Sequence, residues 1–197
     1  MNPRTDQPPL FTDDTTPGFE DRQRLAEDIA RYETGEHPGY TYFYGGKETS
    51  KTASYSNWFF SPFTIDDITY RTLEHWLMAQ KARLFKDFDA ATKIVTAKHP
   101  RKAKQLGRAV TGFDETTWAE NRYRIAVEGM TAKFTQNPPL GSKLLGSGPT
   151  VIVEASPTDR IWGIGLTAGH PDRTDPRLWK GLNICGFALT ETRDLLR

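Results

Sequence analysis

A carboxylate and an amine stand seven residues apart in the stretch 72-TLEHWLMAQKARLF-85, whose other residues are mostly apolar. On a helix, Glu74 and Lys81 would fall within about 20° of one another around the axis and about 10.5 Å apart along it. A carboxylate can stabilise a developing cation or move a proton, and an unprotonated lysine amine can attack an electrophilic carbon. Because unpaired charges in a dry core cost several kcal/mol, one side of this helix must face water, a partner or a cavity.

A helix can also carry these two residues without performing any chemistry. Glu74 would occupy the first turn, where the helix dipole favours an acid and lowers its pKa, although an apolar wall would oppose that shift. Lys81 can extend its ammonium group to solvent along the apolar surface. Nothing local to the helix decides between a reactive pair and a solvated one, so both interpretations stay open at this point.

The elements that would position this helix form an α+β pattern that is predominantly α-helical. Residues 1–18 are rich in Pro, Thr and Asp, which predicts a flexible N-terminal arm, and residues 19–36 are expected to form an accessory helix. Residues 40–197 are predicted to be a single compact domain with a few short β-strands. Strands and helices do not alternate along it as they would in a βαβ series.

The predicted elements of the domain follow from hydrophobic periodicity and from turn and cap residues. Thr72 is a plausible N-cap for the helix of interest, and Thr117 with Glu120 has the spacing of a capping box for a long helix. The expected elements are strands at 41–46 and 151–155, a hairpin within 63–70, and helices at 72–85, about 88–97, about 99–110, about 118–135, 140–145 and 183–196.

Composition narrows the classes of function. The net charge of +1 argues against a broad electrostatic grip on nucleic acid, although the basic run 98-KHPRKAKQLGR-108 leaves a local contact open. One cysteine and four histidines without paired ligand spacing predict no disulfide, no metal site and no cofactor. No run approaches the roughly 18 apolar residues of a membrane span, and no signal peptide is evident, so we expect a cytoplasmic protein.

Four ordered blocks of this sequence resemble the NADAR family, also known as YbiA-like N-glycosidases. The third block is the most specific, because it contains the pattern Asp-x-x-Trp-Gly. The resemblance spans roughly residues 42–193 and implies a compact YbiA-like domain that hydrolyses N-glycosidic bonds of ribose. The blocks are 56-SNWFFSPF-63, 74-EHWLMAQKA-82, 154-EASPTDRIWGIGL-166 and 181-GLNICGFAL-189.

The resemblance also implies roles for individual residues. Glu74 would stabilise the cationic anomeric carbon and move a proton, and Lys81 would open the ribose through a Schiff base that water later hydrolyses. A second set of positions is expected to bind substrate by stacking, hydrogen bonding or charge. These residues are Asn57, Trp58, Phe59, Arg108, Trp118, Asp159, Trp162, Gly163 and Asn183.

Several of these residues have a purely structural alternative. The aromatic residues of the first block can belong to the core, and Asp159 can anchor its own loop through backbone amides. Asn183 precedes the final helix and can act as its N-cap, whereas a helix N-terminus there would also suit a phosphate. Arg108 ends a basic run that can be a solvated helix face or can contact a diphosphate.

The resemblance implies two substrate classes. The leading expectation is ADP-ribose attached to guanine, in DNA, RNA or a free nucleotide, which would suggest a functional pairing with an ADP-ribosyltransferase. The alternative substrate is an early phosphorylated intermediate of riboflavin synthesis. A non-catalytic ADP-ribose-binding module is a third possibility, but a module that only binds would not require both Glu74 and Lys81.

Overall fold

The computed structural model describes residues 19–45 and 51–197, so the predicted arm at residues 1–18 lies outside the described part of the chain. Helices dominate that part, and the strands are short, which confirms the predicted α+β class with a helical majority. The helices are α1 (Phe19–Glu33), α2 (Leu73–Leu84), α3 (Phe88–Val95), α4 (Pro100–Arg108), α5 (Glu115–Gln136), α6 (Pro138–Leu145) and α7 (Ile184–Leu195). The strands are β1 (Tyr40–Phe43), β2 (Phe63–Ile65), β3 (Ile68–Tyr70) and β4 (Val151–Glu154).

The four strands form two small sheets. β1 pairs in parallel with β4, with Tyr40 opposite Val151, and β2 pairs in antiparallel with β3. The turn of this hairpin consists of Asp66 and Asp67, whose φ angles of 49° and 60° are both left-handed. Two left-handed residues give the turn a twist that matches the strands, and this confirms the predicted hairpin.

The start of α5 corrects the predicted capping box. The helix begins at Glu115, and the side chain of Asp114 accepts hydrogen bonds from the backbone N–H of Thr117 at 2.7 Å and from its hydroxyl at 2.8 Å. The predicted box of Thr117 and Glu120 was therefore wrong, because an aspartate three residues earlier satisfies the free amides and adds a turn. Thr72 does precede α2, but its hydroxyl pairs with His75 Nδ1 at 2.8 Å and does not cap the backbone.

α2 lies at the centre of the helical half, packed against α3, α4, α5 and β3. Its residues Leu73, Trp76 and Leu77 are buried, and the Trp76 indole N–H donates to the carbonyl of Ile125 at 2.8 Å. A Cβ at Gly129 of α5 would collide with the Trp76 ring, so the glycine lets the two helices approach closely. This packing fixes the helix that carries Glu74.

The other half of the domain is built around β4, which lies between β1 and α7. Asn183 precedes α7 with a left-handed φ of 56° and is fully buried. Its side chain accepts from the Glu154 N–H and donates to the Ile152 carbonyl, both at 3.0 Å. Asn183 therefore holds the end of β4 against the start of α7 and does not cap the helix with its side chain.

α1 packs on α5, where Arg122 forms a 2.6 Å ion pair with the buried carboxylate of Asp21. Within residues 19–45 and 51–197, none of the helices combines the length and apolar character needed to cross a bilayer.

Candidate active site

A cavity of about 90 Å³ opens where α2, α4, the end of β4 and two loops meet. Five of the predicted site residues line it, although they come from three segments that are far apart in the sequence. Leu77 and Met78 of α2 add an apolar side to a wall that is otherwise rich in polar and charged groups. The lining residues are Ser56, Asn57, Trp58, Glu74, Leu77, Met78, Lys104, Glu154, Asp159 and Trp162.

Glu74 is the buried carboxylate of this cavity, with 4% of its surface exposed. One of its oxygens, Oε2, accepts a hydrogen bond from the Trp58 indole N–H at 3.2 Å. Burial raises the pKa of Glu74, while the nearby charge of Lys104 and the Trp58 hydrogen bond oppose that rise. The helix dipole favours the opposite direction, but in this site the loss of water outweighs it.

Two further carboxyl groups face the same space. Burial, followed by the charge of Asp159, raises the pKa of Glu154 to about 7. The side chain of Asp159 accepts from the backbone N–H groups of Ile161 at 3.0 Å and Trp162 at 2.8 Å, so it also shapes the loop that carries Trp162. Carboxyl groups that share one small, partly buried space are a common arrangement for acid and base catalysis.

Lys104 supplies the positive charge of the cavity wall. It projects from α4, lies 6.0 Å from the centre of the Trp58 ring, and acts to lower the pKa values of Glu74 and Glu154. Neither Lys104 nor Glu154 was predicted as a site residue. Glu154 is the first residue of the third matched block, and Lys104 belongs to the basic run that ends at Arg108. Arg108 is exposed and does not line the cavity.

Lys81 lies outside the cavity wall, in a neighbouring aromatic environment. Its Nζ is 3.8 Å from the centre of the Phe113 ring and 5.9 Å from that of the buried Trp118. Burial lowers the pKa of Lys81, Arg108 lowers it further, and Glu115 opposes the change. The ring faces attract an ammonium group and offset part of this shift. A partly desolvated lysine is a suitable candidate for a nucleophile.

The other predicted residues take positions around the cavity. Gly163 is buried, and a Cβ there would meet the Glu154 carbonyl oxygen at 2.8 Å, so the glycine allows the loop to pack on β4. Asn183 has the structural role described above, and Phe59 lies near Lys133. The predicted residues that do not line the cavity are Phe59, Lys81, Arg108, Trp118, Gly163 and Asn183.

A buried lysine supports the loop that brings Asn57 and Trp58 to the cavity. Lys133 of α5 has no exposed surface, and its Nζ donates to the carbonyls of Ser54 at 2.7 Å and Ser56 at 3.1 Å. Burial lowers the pKa of Lys133 to about 7. The two hydrogen bonds fix the backbone immediately before Asn57.

A second depression, of about 430 Å³, adjoins the cavity and shares the Trp58 side chain with it. Its lining includes the cationic side chains of Arg101 and Lys102, and Trp58 remains 40% exposed between the two spaces. An exposed indole beside basic groups can stack on a base and leave the phosphates of a nucleotide near positive charge. The lining residues are Trp58, His99, Pro100, Arg101, Lys102 and Gln105.

The NADAR domain family model matches residues 42–197. The protein named N-glycosidase R617 of Acanthamoeba polyphaga mimivirus is 38% identical over 79% of this chain and 95% of its own length. The Riboflavin biosynthesis protein PYRR, chloroplastic, of Zea mays is 30% identical over 90% of this chain but only 28% of that longer protein. The NMR structure of the E. coli protein YbiA superposes with a TM-score of 0.66 at 28% identity, covering 81% of this chain and 86% of that one.

Proposed function

The chain belongs to the NADAR domain family and is an N-glycosidase, and from this premise we propose that it removes ADP-ribose from guanine. The observation that carries the proposal is the cavity in which Glu74 is buried, bonded to the Trp58 indole and surrounded by Asn57, Asp159 and Trp162. Cleavage of a ribosyl C–N bond builds positive charge at the anomeric carbon. A carboxylate held in place inside a small cavity stabilises that charge without having to reorganise.

Lys81 provides the covalent route in this proposal. Its amine bonds to the anomeric carbon as the bond to the base breaks, the electron pair leaves with the base nitrogen, and the ribose ring opens to a Schiff base. Water then hydrolyses the Schiff base and restores the amine. The lowered pKa of Lys81 increases the neutral fraction that can attack, and its side chain lies on the same side of α2 as Glu74.

The size and charge of the neighbouring spaces favour ADP-ribose as the sugar. The cavity of about 90 Å³ has room for little more than part of a sugar, whereas the adjoining basic depression of about 430 Å³ offers a place for the diphosphate and adenosine. Trp58 borders both spaces and could stack on a ring in either of them. A substrate without the adenosine half would leave the larger depression unused.

The second candidate substrate is an early phosphorylated intermediate of riboflavin synthesis. The similarity to the maize protein, whose name places it in riboflavin biosynthesis, favours it. Base release from ADP-ribosylated guanosine and from the riboflavin intermediate, measured side by side by chromatography, separates the two. We expect faster release from ADP-ribosylated guanosine. The reverse order would favour the alternative, and no release from either would refute both.

The covalent role of Lys81 predicts a trapped adduct. Borohydride added during turnover should reduce the Schiff base and leave a stable protein–sugar adduct that mass spectrometry locates on Lys81. Lys81→Ala should give no adduct, whereas the exposed lysine variant Lys93→Ala should give as much as the wild type. An adduct of normal yield in Lys81→Ala would show that this amine is not the nucleophile.

A further inference from the structure

The cavity contains a second glutamate that the chemistry of Glu74 and Lys81 does not use. Glu154 is the last residue of β4 and lines the cavity together with Glu74. Its Oε2 is buried and has no hydrogen-bond partner in the described part of the chain. A buried carboxyl oxygen without a donor is disfavoured as an anion, whereas a protonated carboxyl there has a hydrogen to give to a ligand.

The backbone on both sides of this glutamate is held firmly. The Glu154 N–H donates to Asn183 Oδ1 at 3.0 Å, and the Glu154 carbonyl accepts from the Ile164 N–H, also at 3.0 Å. The side chain therefore starts from a fixed point at the carboxyl end of a strand. A catalytic acid needs such support, since proton transfer depends on a fixed distance to the reacting atom.

The pKa of Glu154 depends on charged and titratable groups that come from several neighbouring elements. Burial has the largest effect on its pKa, and Asp159 raises the pKa further, as does Glu74 of α2. The Cys185 thiol of α7, within hydrogen-bonding reach of the carboxyl, and Lys104 of α4 act in the opposite direction. The resulting pKa of about 7 leaves roughly half of the molecules protonated at neutral pH.

The two glutamates differ in their hydrogen bonds. Glu74 accepts from the Trp58 indole N–H, and an accepting role suits a carboxylate. Glu154 has one oxygen without any donor, which suits a carboxylic acid. Two carboxyl groups in one cavity, one with a hydrogen-bond donor and the other with an oxygen that has none, can divide base and acid roles between them.

We propose that Glu154 is the catalytic acid that protonates the leaving base. As the bond between the anomeric carbon and the base nitrogen breaks, its electron pair stays on the nitrogen, which takes the proton of the Glu154 carboxyl. The water that later hydrolyses the sugar adduct supplies a proton that restores the acid. The inference rests on the proposed function, in which this site cleaves the bond between the ribose and guanine.

The variant Glu154→Gln tests this role, because glutamine keeps the size of the side chain but cannot act as a carboxylic acid. With guanine as the leaving group, we expect kcat to fall by about 10²–10⁴-fold and the decline of wild-type activity above pH 7 to disappear. With the same sugar carrying 4-nitrophenolate, which leaves without a proton, we expect kcat within about threefold of wild type. The exposed variant Glu120→Gln should match the wild type on both substrates.

Retained activity on the nitrophenyl substrate also reports that the variant is folded. Equal losses on the two substrates, or an unchanged pH profile in Glu154→Gln, would overturn the acid role while the proposed function stands. A wild-type protein that releases neither leaving group would overturn the proposed function and this inference with it. If Glu154→Gln does not fold, Glu154→Asp replaces it. Glu154→Asp should have a reduced kcat but should keep the decline of activity above neutral pH. If that decline is absent from Glu154→Asp, the acid role is also overturned.

Discussion

Replacing Lys133 by methionine is expected to remove a pH dependence of stability that the wild-type protein has. Lys133 is fully buried on α5, and burial lowers its pKa from 10.5 to about 7. Its amine donates to the Ser54 and Ser56 carbonyls, below the loop that carries Asn57 and Trp58. The same residue therefore connects the energetics of folding with the shape of the cavity.

The magnitude follows from the two pKa values. Between pH 7 and the unfolded pKa of 10.5 the unfolded chain binds more protons at this lysine than the folded protein does, so the free energy of unfolding rises with pH. The contribution is complete only above the unfolded pKa and is lost as pH falls towards the folded pKa. From pH 7 to pH 9 it amounts to about 2 kcal/mol.

Urea unfolding at pH 7 and pH 9 measures this increment. Relative to the wild type, Lys133→Met should lose about 2 kcal/mol of the change between the two pH values, whereas Lys93→Met, an exposed lysine variant, should keep it. Methionine also leaves two carbonyls without their donor, at about 1–3 kcal/mol each, but that cost is nearly independent of pH and cancels in the comparison. Burial raises the pKa of Glu154 to about 7 in both proteins, so its contribution cancels as well.

The reasoning is refuted if Lys133→Met shows the same increase in the free energy of unfolding from pH 7 to pH 9 as the wild type. The lysine of the folded protein would then titrate near its ordinary pKa. Burial would then be compensated by the two carbonyl hydrogen bonds, or by water that reaches the amine. The support that Lys133 gives to the loop at Asn57 would in that case come from a permanently charged group.

Two further variants test the hydrogen bonds at the site and at the start of α5. Trp58→Phe removes the indole N–H that lowers the pKa of Glu74, so the acidic limb of the kcat–pH profile should move to higher pH. If the limb does not move, this hydrogen bond does not tune the pKa of the carboxylate. Asp114→Ala should cost about 1 kcal/mol in urea unfolding while Glu120→Ala changes little, and the opposite order would restore the capping box that begins at Thr117.

Local patterns predicted most of the fold. The hairpin was predictable because the Asp66–Asp67 pair can adopt left-handed angles between two apolar runs, and α2 was predictable from its period. The start of α5 was not predictable from the sequence. Aspartate and threonine are both good N-cap residues, and the path of the preceding chain in the folded protein selects Asp114. The burial of Lys133 was not predictable from the pattern of α5, because it depends on the loop at residues 53–56 that closes over the amine.

The residues of the cavity that were predicted from the sequence lie in the blocks that match the family. Trp58 and Glu74 were expected together, and the structure joins them by a hydrogen bond. Glu154 and Lys104 were missed for a physical reason, since the end of β4 and the basic helix α4 meet at this cavity only in the folded chain. No spacing within the sequence encodes that meeting.

The separation of Glu74 from Lys81 lets one helix carry an acid and an amine that do not form an ion pair with each other. A close ion pair would stabilise the ammonium and the carboxylate together, and a lysine held in that pair could not act as a nucleophile at neutral pH. Met78 lies between the two positions on α2 and lines the cavity, while Lys104 from another helix provides the positive charge that Glu74 experiences. Lys81 is left in its aromatic surroundings, where burial lowers its pKa. The seven-residue spacing, about 10.5 Å along the helix axis, thus keeps the acid and the amine from forming a close ion pair with each other.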